Sequence, residues 1–388
     1  MNVTFLKINN SFLMYIKIIL LLLFVFTIFF SCKSDDQIVY SIDKSAFTAD
    51  LSIKKSKTFR IDSVTDWRLI SVQSFYINDT LKIASLDLVN NDILIFNYST
   101  GILSDRISFS SDGEDALKSN LTGYHVFNKD SLVVIDANGF AYLTDFEGVI
   151  NYKVNLDPDG IPGAPLNKPN FNQIVKIDES LYYDNYYIMN QGRYMKIRNS
   201  GTELSYFLEV PDEYMKGFWG IGDFMYFNFV YNEEKEEFIY NFPNLDSLYI
   251  WDKQFSNVTK VDASSKFINE PIKPILTFGT IPSEKTIKQE PLKRHVFSRL
   301  FYYDKKYFRL LGLPISQFDL DLNDPVKSEI RKYALIVFDN DFNWIGEYEI
   351  PFNKYLISPD DLFVNEHGIH FQLESKTEDE AVFEIWNF

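Results

Sequence analysis

The sequence predicts an all-β protein, a six-bladed β-propeller closed by an N-terminal strand. Three observations lead there. From about residue 51 onward the chain shows short alternating apolar and polar runs bounded by Asn, Asp and Gly, with almost no 3.6-residue periodicity, which is the pattern of half-buried strands and tight turns. It carries 36 Phe, 24 Tyr and 5 Trp in 388 residues, and aromatic side chains favour strands and large buried contacts. The runs also repeat as a unit. A turn after the third strand falls at Gly101, Gly148, Gly201, Ser256 and Asn343, at intervals of 47, 53, 55 and 87 residues. A period of about 40–50 residues with four strands per unit is the propeller signature. The long last interval leaves room for one insertion. The alternatives are a large β-sandwich or two β domains.

The first clear unit reads Leu86 to Asn97, a Ser99-Thr100-Gly101 turn, then Ile102 to Phe109. Within it Asn90-Asn91 suits a tight hairpin, because Asn tolerates the left-handed conformation. The second reads Ser131 to Gly139, Phe140 to Phe146, and Val149 to Leu156. The third reads Ser180 to Tyr183, Tyr194 to Arg198, and Thr202 to Val210. The fourth reads Phe224 to Val230, Glu237 to Tyr240, Ser247 to Trp251, and Val258 to Val261. The fifth reads Arg299 to Tyr303, Tyr307 to Leu311, Tyr333 to Phe338, and Trp344 to Ile350. A sixth, Leu362 to Val364, Ile369 to Glu374 and Ala381 to Phe388, stops after three strands. Lys54 to Asp62 is an unpaired strand at the start of the domain. Placed beside Ala381–Phe388 it supplies the missing strand and removes an open edge. Three stretches break the pattern: the Pro/Gly loop Asp157 to Pro165, the Pro-containing segment Lys266 to Arg294, and Leu313 to Arg331.

Residues 1–31 read as a signal peptide. Lys7 and Lys17 provide positive charge, Ile18 to Phe30 is apolar apart from Thr27, and Ser31 precedes the single cysteine, Cys32. The apolar run is shorter than the roughly 20 residues that a spanning helix needs. An uncleaved anchor helix is the alternative, and Met14 begins a complete shorter leader of its own. Ser31-Cys32 resembles a bacterial lipobox, which implies acylation of Cys32 and attachment to a membrane. Lys33-Ser34-Asp35-Asp36 resembles the signal that exports Bacteroidota lipoproteins to the outer face of the outer membrane. Residues 32–50 form a tether and residues 51–388 the propeller domain. Loss of residues 1–31, which hold two Lys and no acid, takes the formal charge from −16 to −18. So acidic a surface disfavours nucleic acid and anionic lipid. With Cys32 acylated, no thiol remains for a disulfide, a thiolate zinc site or a nucleophile.

Leu86 to Phe109 resembles a recurring pattern, Asn-Asn-x-Ile-x-Ile-Tyr-x-x-x-Thr-Gly-x-Leu-x-x-x-Ile-x-Phe, of a family of Bacteroidota lipoproteins of unknown function with TolB-like, six-bladed propeller character. Tyr240-Asn241-Phe242-Pro243, Tyr303-Asp304 with Tyr307-Phe308-Arg309, and Leu335 to Ile350 are similar to later segments of that family in the same order. The resemblance spans residues 60 to 388. It implies fold and an envelope location, and no activity. The Gly-Pro pair often found after the first unit is replaced here by Ser111-Asp112-Gly113-Glu114.

The sequence contains no G-x-S-x-G elbow, H-E-x-x-H helix or phosphate-binding Gly loop. His367-Gly368-Ile369-His370 has H-x-x-H spacing, but on a strand i and i+3 face opposite sides, a poor metal pair unless Gly368 makes a turn. Asp157-Pro158-Asp159-Gly160 lacks the further ligands of a calcium loop. Glu233 to Glu237 reads as a charged hairpin tip. No cofactor and no metal are expected. Trp219, Tyr226, Arg299, Tyr302 and Arg309 fall near the starts of blades, where side chains can line the axial funnel. Aromatic and Arg residues are the usual anchors of binding sites, although buried packing is the commoner fate of each. These features predict a lipid-anchored envelope binding module for a protein, peptide or glycan. The alternative is a glycan- or peptide-acting hydrolase or lyase with carboxylates paired in the funnel.

Overall fold

In a computed structural model the described residues are 53–387 apart from 111, 114–115, 156–173, 178–179, 186–193, 200–202, 207–210, 221–226, 269–271, 278–279, 281–282, 284–285, 287–289, 315–330, 352–353, 357–361 and 375–376. The leader, Cys32, the tether and the Asp157 to Pro165 loop lie outside them. Secondary structure among the described residues is almost entirely β, with short 3-10 turns at Asp212–Lys216 and Pro291–Lys293 and a helical residue at Thr286.

The strands form six four-stranded antiparallel sheets. β1 (Ile53–Arg60) stands apart and is treated last. Sheet 1 holds β2 (Ile70–Ile77), β3 (Thr80–Asp87), β4 (Asp92–Asn97) and β5 (Ile102–Ile107). Sheet 2 holds β6 (Leu121–Asn128), β7 (Ser131–Asp136), β8 (Phe140–Thr144) and β9 (Ile150–Asn155). Sheet 3 holds β10 (Ile174–Ile177), β11 (Ser180–Asn185), β12 (Tyr194–Asn199) and β13 (Glu203–Tyr206). Sheet 4 holds β14 (Asn228–Asn232), β15 (Glu237–Asn241), β16 (Ser247–Asp252) and β17 (Val258–Asp262). Sheet 5 holds β18 (Val296–Tyr303), β19 (Lys306–Gly312), β20 (Tyr333–Asp339) and β21 (Trp344–Ile350). Sheet 6 holds β22 (Leu362–Asn365), β23 (Gly368–Gln372) and β24 (Glu380–Trp386), and its fourth strand is β1. β1 pairs antiparallel with β24 from Ile53↔Trp386 to Arg60↔Glu380. Each sheet has its first strand innermost, facing the first strands of its neighbours.

Local chemistry explains the recurring turns. The bend between the third and fourth strands is capped by one side chain that gathers backbone N–H groups: Asn97 takes that of Thr100, Asp145 those of Glu147 and Val149, Asp252 that of Ser256, and Asp339 those of Asp341 and Asn343. Such Asx turns mimic a backbone turn. Gly101 and Gly148 sit there with φ of +71° and +77°. A Cβ on Gly101 would stand 2.1 Å from the Thr58 carbonyl oxygen, and one on Gly148 would stand 2.5 Å from that of Ser108. Glycine is therefore required by conformation and by close approach. Where Ser256 and Asn343 were expected to turn, the left-handed residue is the one before, Phe255 and Phe342.

Apolar cores lie between sheets rather than in one centre. Six clusters of buried residues join each sheet to the next, and the last to the first. In the closing interface Phe59, Phe363 and Phe383 of sheet 6 pack on Val72, Ile83 and Phe96 of sheet 1. Each such fully buried side chain contributes about 1.5–3 kcal/mol relative to exposure. Polar side chains stitch neighbouring first strands together. Gln73 Nε2–H donates to the Val126 carbonyl at 2.9 Å and its Oε1 accepts the Val126 N–H at 2.8 Å. Asn228 does the same for sheets 4 and 5, donating to Ser298 O at 2.9 Å and accepting from Leu300 N–H at 2.8 Å.

Several element boundaries differ from the sequence reading. β2, β6 and β10 complete the first three sheets, where no strand was assigned, and the strand read from Leu86 belongs to β3, which begins at Thr80. β18 begins at Val296 rather than Arg299. These are inner strands, and three of them contain bulges. Register shifts fall between Ile70 and Gln73 in β2, between Leu121 and Gly123 and between Val126 and Asn128 in β6, and between Phe297 and Arg299 in β18. An inserted residue breaks the alternation that reveals a strand. At one irregularity in each of these strands a hydroxyl fills the interrupted ladder. Ser85 Oγ accepts Ile70 N–H and donates to Ile70 O, both at 3.0 Å, while Thr122 donates to Ile135 O and Ser298 to Leu310 O.

Candidate functional site

The first strands of all six sheets surround a cavity of about 340 Å³. This is at the small end of the roughly 300–1,000 Å³ typical of ligand sites. One bulge in each of β2, β6 and β18 falls at its wall, beside Ser71, Gln73, Tyr124 and Arg299. Ser71 has a φ of +53°, a left-handed conformation costly for a residue with a Cβ. Its carbonyl is held by the Tyr124 hydroxyl at 2.7 Å, and its own buried Oγ has no protein partner.

The rest of the wall mixes aromatic, aliphatic and polar residues and is mostly uncharged. Phe229, Tyr231, Phe301, Tyr302 and Phe363 line it. Arg299 Cζ lies 5.3 Å from the Phe301 ring centroid, within cation–π range. His125 contacts Gln73 Nε2 at 3.5 Å and packs on Phe127 at 4.7 Å between ring centroids. Burial pulls the His125 pKa down to about 4, so its imidazole is neutral at pH 7. Arg299 is thus the one formally charged side chain at neutral pH among the described residues of the wall, which include no Asp or Glu. The paired carboxylates of the hydrolase reading therefore have no counterpart among those residues.

The five sequence candidates separate. Arg299 and Tyr302 both line the cavity, with Tyr302 Oη donating to Asn340 Oδ1 at 3.2 Å. Tyr226 lies outside the described residues. Trp219 is buried away from the cavity wall, stacked near Tyr214 and donating its indole N–H to the Tyr214 carbonyl at 3.0 Å. Arg309 is fully buried in the interface between sheets 4 and 5. Its Nε donates to Asn241 Oδ1 at 2.7 Å, and its terminal nitrogens donate to the carbonyls of Asp246, Ala263 and Leu245 at 2.6–2.8 Å. It lies 3.4 Å over the Phe297 ring. Burial lowers its pKa to about 9, still cationic at pH 7, and its donors are occupied by protein, which makes it a clamp between sheets. Sequence reasoning missed Ser71, Gln73, Tyr124 and His125. The available signal was an apolar residue followed by Ser or Thr at the start of a strand, in Ile70-Ser71, Leu121-Thr122 and Phe297-Ser298.

The H-x-x-H pair also has a structural use. Gly368 does turn, with a φ of +126°, and both His side chains meet Tyr98 of sheet 1. His367 stacks on its ring at 4.8 Å. His370 Nδ1–H donates to Gly368 O, so its Nε2 accepts the Tyr98 hydroxyl at 2.7 Å. Among the described residues no group of three His, Cys, Asp or Glu could hold a metal.

A ring of sheets with short strands, interfacial cores and an axial cavity defines an all-β propeller. The chain belongs to the DUF4221 family, a domain of unknown function, whose model matches residues 27–349. It is similar to the crystal structure of a DUF4221 family member from Bacteroides vulgatus, with 18% identity and a TM-score of 0.72, covering 86% of this chain and 96% of that one. It is also similar to a protein from Bacteroides fragilis described as exported, with 13% identity and a TM-score of 0.53, covering 88% and 97%. At these identities the likeness establishes fold. No curated protein matches. No helix among the described residues is long and apolar enough to cross a membrane.

Proposed function

We propose that this protein is a lipid-anchored cell-envelope receptor whose six sheets are the blades of one closed ring and whose axial cavity binds a small ligand. The observation that carries the reading is the coincidence of three inner-strand bulges with the cavity wall. Bulges bend strands and re-aim side chains, and they concentrate beside functional sites. Here they come with a left-handed Ser71, and local strain persists where the surrounding fold enforces it for a purpose. Arg299 and Tyr302 are the proposed ligand contacts, supported by Ser71 and Gln73. The leader and Cys32 support acylation and placement at the outer membrane, and a B. fragilis neighbour described as exported agrees with that compartment.

The test is a thermal-shift screen of a small-metabolite library against the mature chain and a plugged variant, Val364→Trp, which fills the cavity from β22. A ligand at 100 times its Kd stabilises by about 2.7 kcal/mol. Compounds that shift the wild type and not the folded variant support the reading; compounds that shift both place binding elsewhere and sink it. Acylation is tested separately. Labelled palmitate should enter the wild type and not Cys32→Ala, which should leave the membrane fraction; label retained by that variant would refute the anchor.

A further inference from the structure

We infer that the first turn of the connector between sheets 4 and 5, Ser265 to Ile268, is a proton-operated clasp. Glu347 on β21 holds the turn down when neutral and loosens it when ionised. The device does not depend on what the cavity binds.

Geometry carries the inference. Glu347 is 2% exposed, and both of its oxygens are engaged by the connector. Ser265 Oγ donates to one, and the Lys266 N–H donates to the other at 2.7 Å. The same hydroxyl accepts the Phe267 N–H at 2.9 Å, and the Ile268 N–H donates to the Ser265 carbonyl at 3.3 Å. One carboxyl group thus organises the whole turn, and the turn seats Phe267 and Ile268 on the apolar core between sheets 4 and 5. Just ahead of it Ala263 is gripped separately. Its carbonyl accepts from Arg309 at 2.7 Å, and its N–H donates to Asp246 O at 3.1 Å. With its own anchor at Ala263, the connector can lift at Ser265 and Lys266 without the sheets parting.

No counter-charge fixes the carboxylate in place. Lys266 sets its ammonium 3.3 Å from the Trp344 ring centroid, and among the described residues no ion pair closes on Glu347. A buried charge without a partner is strongly disfavoured. A protonated carboxyl has no such cost: it can donate to Ser265 Oγ and still accept the Lys266 N–H. The titratable and charged groups around it are Asp262 and Lys266 on the connector, Arg309 on β19, and Tyr348 and Glu349 on β21, with apolar Ile336 opposite on β20. Lys266 is the one whose charge bears on Glu347, and burial outweighs it, raising the Glu347 pKa to about 7. In the lifted turn the carboxyl meets water and returns to its ordinary value of about 4.3. The grip is therefore firmest below that value, weakens as pH rises toward 7, and then levels off.

The experiment is hydrogen exchange on the mature chain from pH 4.5 to 8.5, with rates corrected for intrinsic base catalysis. Protection of the Lys266, Phe267 and Ile268 amides should fall by up to about tenfold per pH unit as far as pH 7, about 100-fold in all, and then level off. Amides of β19 and β20 should not share that fall. Glu347→Gln should keep the turn closed at every pH and give a flat profile. Ser265→Ala removes one donor and keeps the titrating group, so it should start less protected and retain the slope. It also covers a Gln variant that fails to fold. A flat profile in the wild type, or a slope lost in Ser265→Ala, would overturn the inference. So would a slope that survives in Glu347→Gln, or an equal fall in β19 and β20, because the titration would then belong to another group or to the whole interface.

Discussion

At the scale of single residues, the buried charges do opposite things with pH. His370 is fully buried and neutral, with burial pulling its pKa down to about 3, and His125 is held at about 4. Unfolded, both return to about 6.5. Between those values the unfolded chain binds more protons, so the contribution of these histidines is intact above about pH 6.5 and is lost as pH falls toward 4. Glu347 behaves in the reverse sense. Burial raises its pKa to about 7, although Ser265 Oγ and the Lys266 N–H at 2.7 Å both donate to it. Its contribution is present below about pH 4.5 and lost as pH rises through 7. Urea titrations should show a stability slope from pH 6.5 to 4.5 that flattens in His370→Gln. Glu347→Gln, neutral at every pH, should gain on the wild type from about pH 4.5 to 7 and keep that gain above it; parallel curves from pH 4.5 to 7 would refute the Glu347 assignment. Arg309→Met leaves Asn241 Oδ1 and three carbonyls without their donor, and should cost about 3–5 kcal/mol in a denaturant melt. A ligand contact in a funnel would lose affinity instead and leave the melt almost unmoved.

At the scale of elements, legibility in the sequence follows local chemistry. Third and fourth strands could be read because each is tied to a turn with its own signal, an Asx cap and a left-handed residue, as in Asn97 to Gly101 and Asp145 to Gly148. The inner strands of sheets 1, 2 and 3 could not. Gln73, Ser74 and His125 are polar where strand alternation predicts apolar residues, since they face a cavity or bridge to the next sheet. The bulges then shift the period itself. Half of the candidate site was legible for the same reason: Arg299 and Tyr302 stand out by residue type, whereas Ser71 matters by conformation. Arg309 and Trp219 share the residue types of a site but pack between elements. Gly101→Ala is the element-scale test. Strain at positive φ and a clash with Thr58 O should cost about 2 kcal/mol or more. Amide exchange should rise first along β1, because Arg60 N–H donates to Gly101 O at 2.8 Å. Uniform exchange across all sheets would show that β1 is not a separate latch.

At the scale of the molecule, closure was legible and its reinforcement was not. The unpaired strand at the start of the domain and the three-strand sixth unit pointed to one another, and β1 does pair with β24. What holds that seam is a set of long-range contacts that no local pattern displays. Phe59 meets Phe96, Tyr98 and Phe383 at 5.6–6.0 Å, Lys57 Nζ lies 5.2 Å from the Tyr98 ring centroid, and both histidines of β23 and its turn engage Tyr98. Removal of residues up to Arg60 should expose the β24 edge and strip the closing core. The shortened chain is expected to self-associate in light scattering, because open strands are templates for pairing. A monodisperse shortened chain would show that the ring closes without β1.

The register of that latch also decides how the molecule bears force. β1 starts at Ile53 opposite Trp386 and runs through seven paired positions to Arg60. Tension on the chain ahead of Ile53, directed along the strand, loads the whole ladder in shear, so its hydrogen bonds must yield together. Tension across the strand would instead peel them one at a time. If the domain is moored through its N-terminal side, as proposed, a pull along β1 meets that ladder in shear.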